Sequence, residues 1–248
     1  MRRRALLAAW PPTRRLLTSR PNIRAGGFFE LRTDDVFNKE FALADAAQSD
    51  AAHPNLIGMW STELGGCVND VHHLYHWADY DERDAAALNE TLADGTLGEH
   101  VASTEAVVMI EATDALLSCG LPGAAGFSDA IASKPAGPKV AWEMRKYQLV
   151  LGYATVPRFL ELYTDGLRDK LAADDSGASQ LATLLYSDCG PLNVVVELWR
   201  HESMQRAQAS RKASRQAPKW KAAIGEIAEL STRFETSFLR PTPGSPWR

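Results

Sequence analysis

The chain has 248 residues, 45% of them hydrophobic and 23% charged, with a formal net charge of −4, a composition that excludes a disordered or fibrous protein. No apolar run approaches the roughly 20 residues that a membrane-spanning helix needs. The three cysteines, Cys67, Cys119 and Cys189, are widely spaced and never form a CxxC pair, which argues against a disulfide framework or a zinc ribbon and suits a reducing compartment.

The net charge hides an asymmetry. Residues 1–26 hold seven arginines (Arg2, Arg3, Arg4, Arg14, Arg15, Arg20, Arg24) and no acid, interleaved with Leu6, Leu7, Trp10, Leu16 and Leu17. That pattern reads as a mitochondrial-type targeting arm, drawn to a receptor groove and down a membrane potential. Residues 27–198 carry a net −17 and residues 199–248 a net +6.

Beyond the arm the chain repeats itself. FELR at 29–32 recurs as WEMR at 142–145, and GCVNDVHHLYHW at 66–77 lies over GPLNVVVELWRH at 190–201. Two matching stretches in the same order indicate a tandem duplication. In chain order, GFFELRT (27–33) predicts a strand, and the spacing of Val36, Phe37, Phe41, Leu43 and Ala44 predicts a helix over 35–53. NLIGMWSTE (55–63) and NDVHHLYHW (69–77) predict two strands joined at Leu64-Gly65-Gly66. A helix over 81–95, closed by Gly95, and a strand over 103–112 complete the first copy. The second copy predicts a strand at 141–152, a helix at 157–175 and a strand pair at 180–188 and 192–200. A helix beginning at 203 and a last strand at 232–240 follow.

The order is βαββαβ twice, an α+β protein of tandem ferredoxin-like repeats. Each four-stranded sheet has one bare face, and two sheets in one chain cover each other, giving an intramolecular dimeric α+β barrel. The expected divisions are the basic arm (1–26), the first repeat (27–117), a Gly/Pro-rich connector (118–139), the second repeat (140–241) and a Pro-rich C-terminal tail (242–248).

Few residues carry chemistry. His72, His73 and His76 crowd one strand, but alternation turns His73 to the opposite face. His72 and His76 then stand about 13 Å apart along the strand, too far to share an ion whose ligands lie about 2 Å away. No metal site is expected. His53 and His100 stand alone, and Gly120, Gly123 and Gly126 lack the lysine of a phosphate loop. No GxSxG or HExxH occurs, so no catalytic, cofactor-binding or metal-ligating residue is assigned. The duplicated pairs Glu30/Arg32 and Glu143/Arg145 each share one strand face. They are read as ion pairs at the sheet or, functionally, as a polar lining for the cavity between the sheets. Arg211, Lys212, Arg215, Lys219 and Lys221 cluster on the basic C-terminal helix region, a surface suited to anionic lipid. Aromatics are not interleaved with these charges, so nucleic acid is not an expected partner.

FELRT near the start, NLIGMWSTELGGCVNDVHHLYHWADYDERDAA, GPLNVVVELWRHESMQRAQASRKAS and the final SFLRP resemble the NIPSNAP family of mitochondrial proteins. The resemblance runs from about Phe28 to Pro241. It implies a duplicated dimeric α+β barrel, a mitochondrial address, no established enzymatic activity, and roles in mitochondrial quality control through partner proteins. The resulting expectation is a non-catalytic interaction module in the matrix or on the matrix face of the inner membrane. Within that class it is an accessory subunit of a large assembly, such as a respiratory-chain complex, needing no cofactor and using its two ends as arms that order against a partner. The alternatives are a free matrix adaptor in quality control, or an enzyme of the monooxygenase or haem-handling type that uses the cavity between sheets.

Overall fold

A computed structural model describes residues 21–40, 42–43, 53–88, 100–132, 137 and 139–248. Eight strands form the frame: β1 (Phe28–Val36), β2 (Leu56–Leu64), β3 (Asp70–Trp77), β4 (Val101–Glu111), β5 (Ala141–Leu149), β6 (Ser179–Cys189), β7 (Val194–His201) and β8 (Ser231–Pro241). The helices among the described residues are α1 (Tyr80–Leu88), α2 (Thr113–Ser118), α3 (Gly123–Ala132), α4 (Thr155–Ala173), α5 (Met204–Ser214) and α6 (Pro218–Leu230).

The strands close into a barrel in the order β1-β3-β2-β8-β5-β7-β6-β4. Written by repeat this is β4-β1-β3-β2 followed by β8-β5-β7-β6, the same arrangement twice, as the duplication predicts. Within a repeat the ladders are long: Phe28↔Trp77 to Asp35↔Asp70 between β1 and β3, and Ala141↔His201 to Gln148↔Val194 between β5 and β7. The two seams between repeats are shorter, Trp60↔Pro241 to Leu64↔Phe238 and Val108↔Cys189 to Glu111↔Leu185. The β2–β3 turn meets the second repeat at Gly65, which has φ +85°. A Cβ there would lie 2.3 Å from the Thr236 carbonyl, so only glycine fits both the conformation and the seam.

Period-2 alternation sorts the side chains into three cores. Phe29, Leu31, Leu74, Trp60, Trp142, Met144, Val196 and Leu198 face the barrel interior. Tyr147, Phe159, Tyr163, Leu184, Trp199, Trp220 and Ile227 pack between the second-repeat sheet and its helices. Phe28, Val36, Met59, Val71, Tyr75 and Trp77 form the corresponding outer layer of the first repeat.

Three expectations change. β1 runs on to Val36, where a helix was expected from residue 35, because Asp34 and Asp35 stay in register with Val71 and Asp70 and Val36 is buried. Residues 39–40 and 42–43 are helical; the rest of the helix expected over 35–53, residues 89–95 of the next, and residues 1–20 of the targeting arm lie outside the described residues. The connector contains a helix, α3, whose buried positions Ala124, Phe127, Ser128 and Ile131 fall at i, i+3, i+4 and i+7. Its small residues hid that stripe in a Gly/Ala-rich composition.

The third change concerns residues 242–248, which were expected to order only against a partner. They order against the chain itself. Thr242 N donates to Met59 O at 2.9 Å and Trp247 N to Ile57 O at 3.0 Å, continuing along the edge of β2 where β8 leaves it. Trp247 is 1% exposed. It stacks on Trp142 at 5.5 Å between centroids, meets Phe127 edge-on at 5.0 Å, and donates its indole N–H to Ser128 Oγ at 2.6 Å. The tail and α3 therefore plug the barrel interior, and the cavity expected between the sheets is filled with aromatic side chains. Replacing Trp247 by alanine leaves a large void in the central core. It should lower the unfolding free energy by about 3–5 kcal/mol, read by urea titration; an unchanged midpoint would return the tail to the role of a free arm.

Candidate functional site

The duplicated glutamates sit on the outer face of the sheet, beneath the helices, and not in the barrel interior. Glu143 on β5 is fully buried. Its Oε1 accepts from Arg145 Nε at 2.5 Å, Arg211 Nη2 at 2.7 Å and Thr236 Oγ1 at 2.9 Å. His201 Nε2 lies 3.1 Å from its other oxygen, while His201 Nδ1 is 2.8 Å from Ser179 Oγ. Burial opposes the charge on Glu143, yet His201, Arg145 and Arg211 override it and hold its carboxyl far below the usual range. Burial lowers the His201 pKa, with Glu143 pulling the other way, so the ring is neutral at pH 7. An ionised Glu143 only accepts, which makes His201 Nε2 the donor and leaves Nδ1 to accept from Ser179.

Beside this glutamate stands a second buried acid. Glu197 on β7 accepts from Tyr147 Oη at 2.6 Å and from Trp199 Nε1 at 2.5 Å. Lys170 of α4 lies behind it, 4% exposed, its ammonium 3.7 Å from the Trp199 ring centroid and 4.5 Å from that of Trp220. Its Nζ has no hydrogen-bond acceptor, and burial, reinforced by Arg145, brings its pKa down to about 7.

The first repeat builds the same device with different parts. Glu30 on β1 accepts from Trp77 Nε1 and from Arg83 Nε of α1, both at 3.1 Å. Arg83 follows β3 just as Arg211 follows β7, and Trp77 occupies the position of His201. Arg32 pairs with Asp34 at 2.9 Å and not with Glu30, a departure from the expected Glu30/Arg32 pair. Asp34 also accepts from Thr104 Oγ1 at 2.7 Å and faces His73 Nε2 at 3.2 Å. Burial acts to raise its pKa, but His73, Arg32 and Thr104 bring it to about 2.

The three histidines part as alternation requires. His72 faces inward between Thr33 Oγ1 and Thr62 Oγ1, each at 3.0 Å, and burial takes its pKa down to about 4. His76 meets Phe29 edge-on at 5.1 Å, and His73 points outward to Asp34. Among the described residues, Asp35, Cys67 and Asp70 bring three ligand-type atoms within 4.8 Å of one another; the two aspartates are half-buried at paired ends of β1 and β3, and Cys67 is exposed in the turn before β3.

Of the basic set expected to meet lipid, Arg211 is turned inward to Glu143 and Thr236, while Lys212, Arg215, Lys219 and Lys221 are exposed. Arg83, Tyr147, Glu197 and His201 escaped the sequence reading. Trp77 and His201 stand at matching places in the two copies, 124 residues apart, whereas Arg83 and Arg211 are offset by 128, about one helical turn further on, so only the first pair was visible in the alignment.

Between β5, β8 and helices α5 and α6 of the second repeat opens a pocket of about 500 Å³, with Glu143, Arg145 and Tyr147 at its floor. Behind α6, Gly166 lets α4 pack closely, since a Cβ there would come within 2.7 Å of Ala223 Cβ and 3.1 Å of Trp220 Cα. The contact of α4 with α6 at that glycine fixes where Trp220 can stand.

A lysine whose pKa falls from 10.5 to about 7 on burial costs stability at every pH where the unfolded chain keeps it protonated. Between pH 7 and 10.5 the unfolded chain holds a proton that the folded chain lacks, so this cost fades as pH rises. Lys170→Met should therefore stabilise the protein by a few kcal/mol at pH 7 and below. The gain should shrink toward zero near pH 10.5, as read from thermal unfolding across pH; a gain independent of pH would show that the ammonium is not the cause.

The sequence model of the NIPSNAP family matches residues 31–118 and 142–246, one segment in each repeat. NipSnap homolog 3B of Mus musculus is 24% identical over 234 residues, which cover 91% of this chain and 88% of its own. NipSnap homolog 3A of Homo sapiens is 24% identical over 196 residues, covering 79% and 73%. Among solved structures, a candidate monooxygenase from Lactobacillus acidophilus superposes with a TM-score of 0.56 at 10% identity, over 89% of this chain and 98% of its own; that likeness bears on the fold alone. With both repeats matched, the chain belongs to the NIPSNAP family.

Proposed function

We propose that this protein is a mitochondrial protein-interaction module, an accessory subunit of a larger assembly, which engages its partner through the strand-end loops of the barrel. The observation that carries the reading is an exposed apolar patch gathered around Asn193. Asn193 adopts φ 57°, and its Nδ2 donates to Val150 O at 2.8 Å and Gly152 O at 3.1 Å, fixing the β5–α4 loop against the β6–β7 turn. Val150, Leu151, Tyr153 and Leu192 are all solvent-exposed there, Leu151 at 83%. An ordered loop that spends hydrogen bonds to present apolar side chains is the form of an interaction site.

Beside the patch a shallow groove is lined by Tyr153, Val156 and Leu160, with Asp114 and Asp165 at its edge. That combination suits an amphipathic segment bearing lysine or arginine. The first repeat presents a counterpart in exposed Phe37, Leu64 and Val68, so both ends of the pseudo-two-fold carry contact surface. The mitochondrial part of the reading rests on the arginine-rich first 26 residues and on family membership.

The test is native migration from gently solubilised mitochondria. The wild-type chain should comigrate with a species far heavier than its 27.2 kDa. Leu151→Asp combined with Tyr153→Ala should release it to its own size without lowering its melting temperature. A wild-type protein that already runs as one chain would overturn the proposal.

A further inference from the structure

The pocket beneath α5 and α6 has no part in that interaction reading, and its lining is specific enough to name the chemistry of a ligand. Four guanidinium groups, those of Arg145, Arg211, Arg215 and Arg233, line it against a single lining carboxylate, Glu143. Glu143 is already committed to Arg145, Arg211, Thr236 and His201, so it offers nothing further to a cation. Arg211 spends one terminal nitrogen on Glu143 and Thr236, and a guanidinium has five donors. Arg215 is exposed at the mouth, and Arg233 is 71% exposed in its pair with Glu235. The opposite wall is apolar: Trp220, Ile224, Ile227 and Ala228 of α6 face Phe234, whose ring stacks on Tyr147 at 4.4 Å.

We propose that this pocket binds a carboxylic acid with an apolar body, the carboxylate on the arginines and the body between α6 and Phe234. A volume of about 500 Å³ lies in the range of small-ligand sites, which pair an apolar lining with a few directed polar groups. Planar guanidinium forks match a carboxylate in two-point contact. A monoanion is the better match than a dianion, since Glu143 stands 2.7 Å from Arg211 at the floor and repels added negative charge. The first repeat is not equivalent. Both buried clusters set two acids against two arginines, Glu30 and Asp34 with Arg32 and Arg83, Glu143 and Glu197 with Arg145 and Arg211; the second repeat adds Arg215 and Arg233 at the pocket, and it is these that attract an anion.

The probe is dodecanoate below its micellar concentration, titrated into the full chain and followed by isothermal calorimetry, with dodecan-1-ol and dodecylammonium as controls. Dodecanoate should bind with one site per chain, at least tenfold more tightly than either control. Arg215→Glu with Arg233→Glu changes only exposed side chains and should weaken dodecanoate at least tenfold while leaving the melting temperature unchanged. Ala228→Trp, which fills the pocket from an exposed wall position, should abolish binding in a folded protein. The proposal is overturned if dodecanoate shows no saturable binding at millimolar concentration, or if it binds no better than the alcohol. It is equally overturned if either variant, shown to be folded by its melting curve, binds as the wild type does.

Discussion

A carboxylate buried under a helix is the constraint from which the rest of this structure follows. The side chains of Glu30 and Glu143 are 5% and 0% exposed, and stripping such a group of water costs several kcal/mol unless a cation and hydrogen-bond donors meet it. Two sources of donors are common to both repeats. The third strand supplies an indole or an imidazole, and the helix after it supplies an arginine. Because the glutamate cannot stay buried without that arginine, the helix is held to one seat over the sheet. The ferredoxin-like unit thus carries a polar lock between layers that hydrophobic contact would otherwise leave free to slide. Such a lock adds position more than it adds stability.

The two copies keep the lock and differ in what surrounds it. In the first, Asp34, Arg32 and His73 close on one another. In the second, Tyr147 and Glu197 occupy those positions, the phenol bonds to the acid, and Arg145 turns to Glu143. Each buried cluster sets two acids against two arginines, and the second repeat adds Arg215 and Arg233 where a pocket opens. A duplicated chain permits this division: one half can hold the barrel closed while the other acquires a site, because each sheet covers the face that its neighbour leaves bare.

The sequence disclosed the barrel and hid the cluster, for different physical reasons. Strand alternation and the recurrence of FELR and WEMR are local patterns, and they carry the repeat, the strand order and the outward turn of His73. The lock is nonlocal. Arg83 lies 53 residues from Glu30, and Arg211 lies 68 from Glu143. In sequence each looked like one more charge on a solvated helix, and Arg211 read as part of a lipid-facing set. The Glu30/Arg32 pairing failed because Asp34, two residues on along the same face, competes for the arginine. Composition misled at both unusual stretches: Gly, Ala and Pro in 118–139 and 242–248 suggested linker and arm. Helix α3 and Trp247 need such small or rigid neighbours to enter a barrel end crowded with indole rings.

The seat of Trp247 also fastens the two repeats to each other. Its indole stacks on Trp142 of β5 and meets Trp60 of β2 edge-on at 6.4 Å, so one side chain helps to cover an interior ring from each repeat. The backbone that carries it bonds to Ile57 and Met59 of the first repeat, although the chain arrives there from the last strand of the second. Loss of residues 242–248 would therefore keep all eight strands and yet uncover indoles at one end of the barrel, giving a species open to association with other chains.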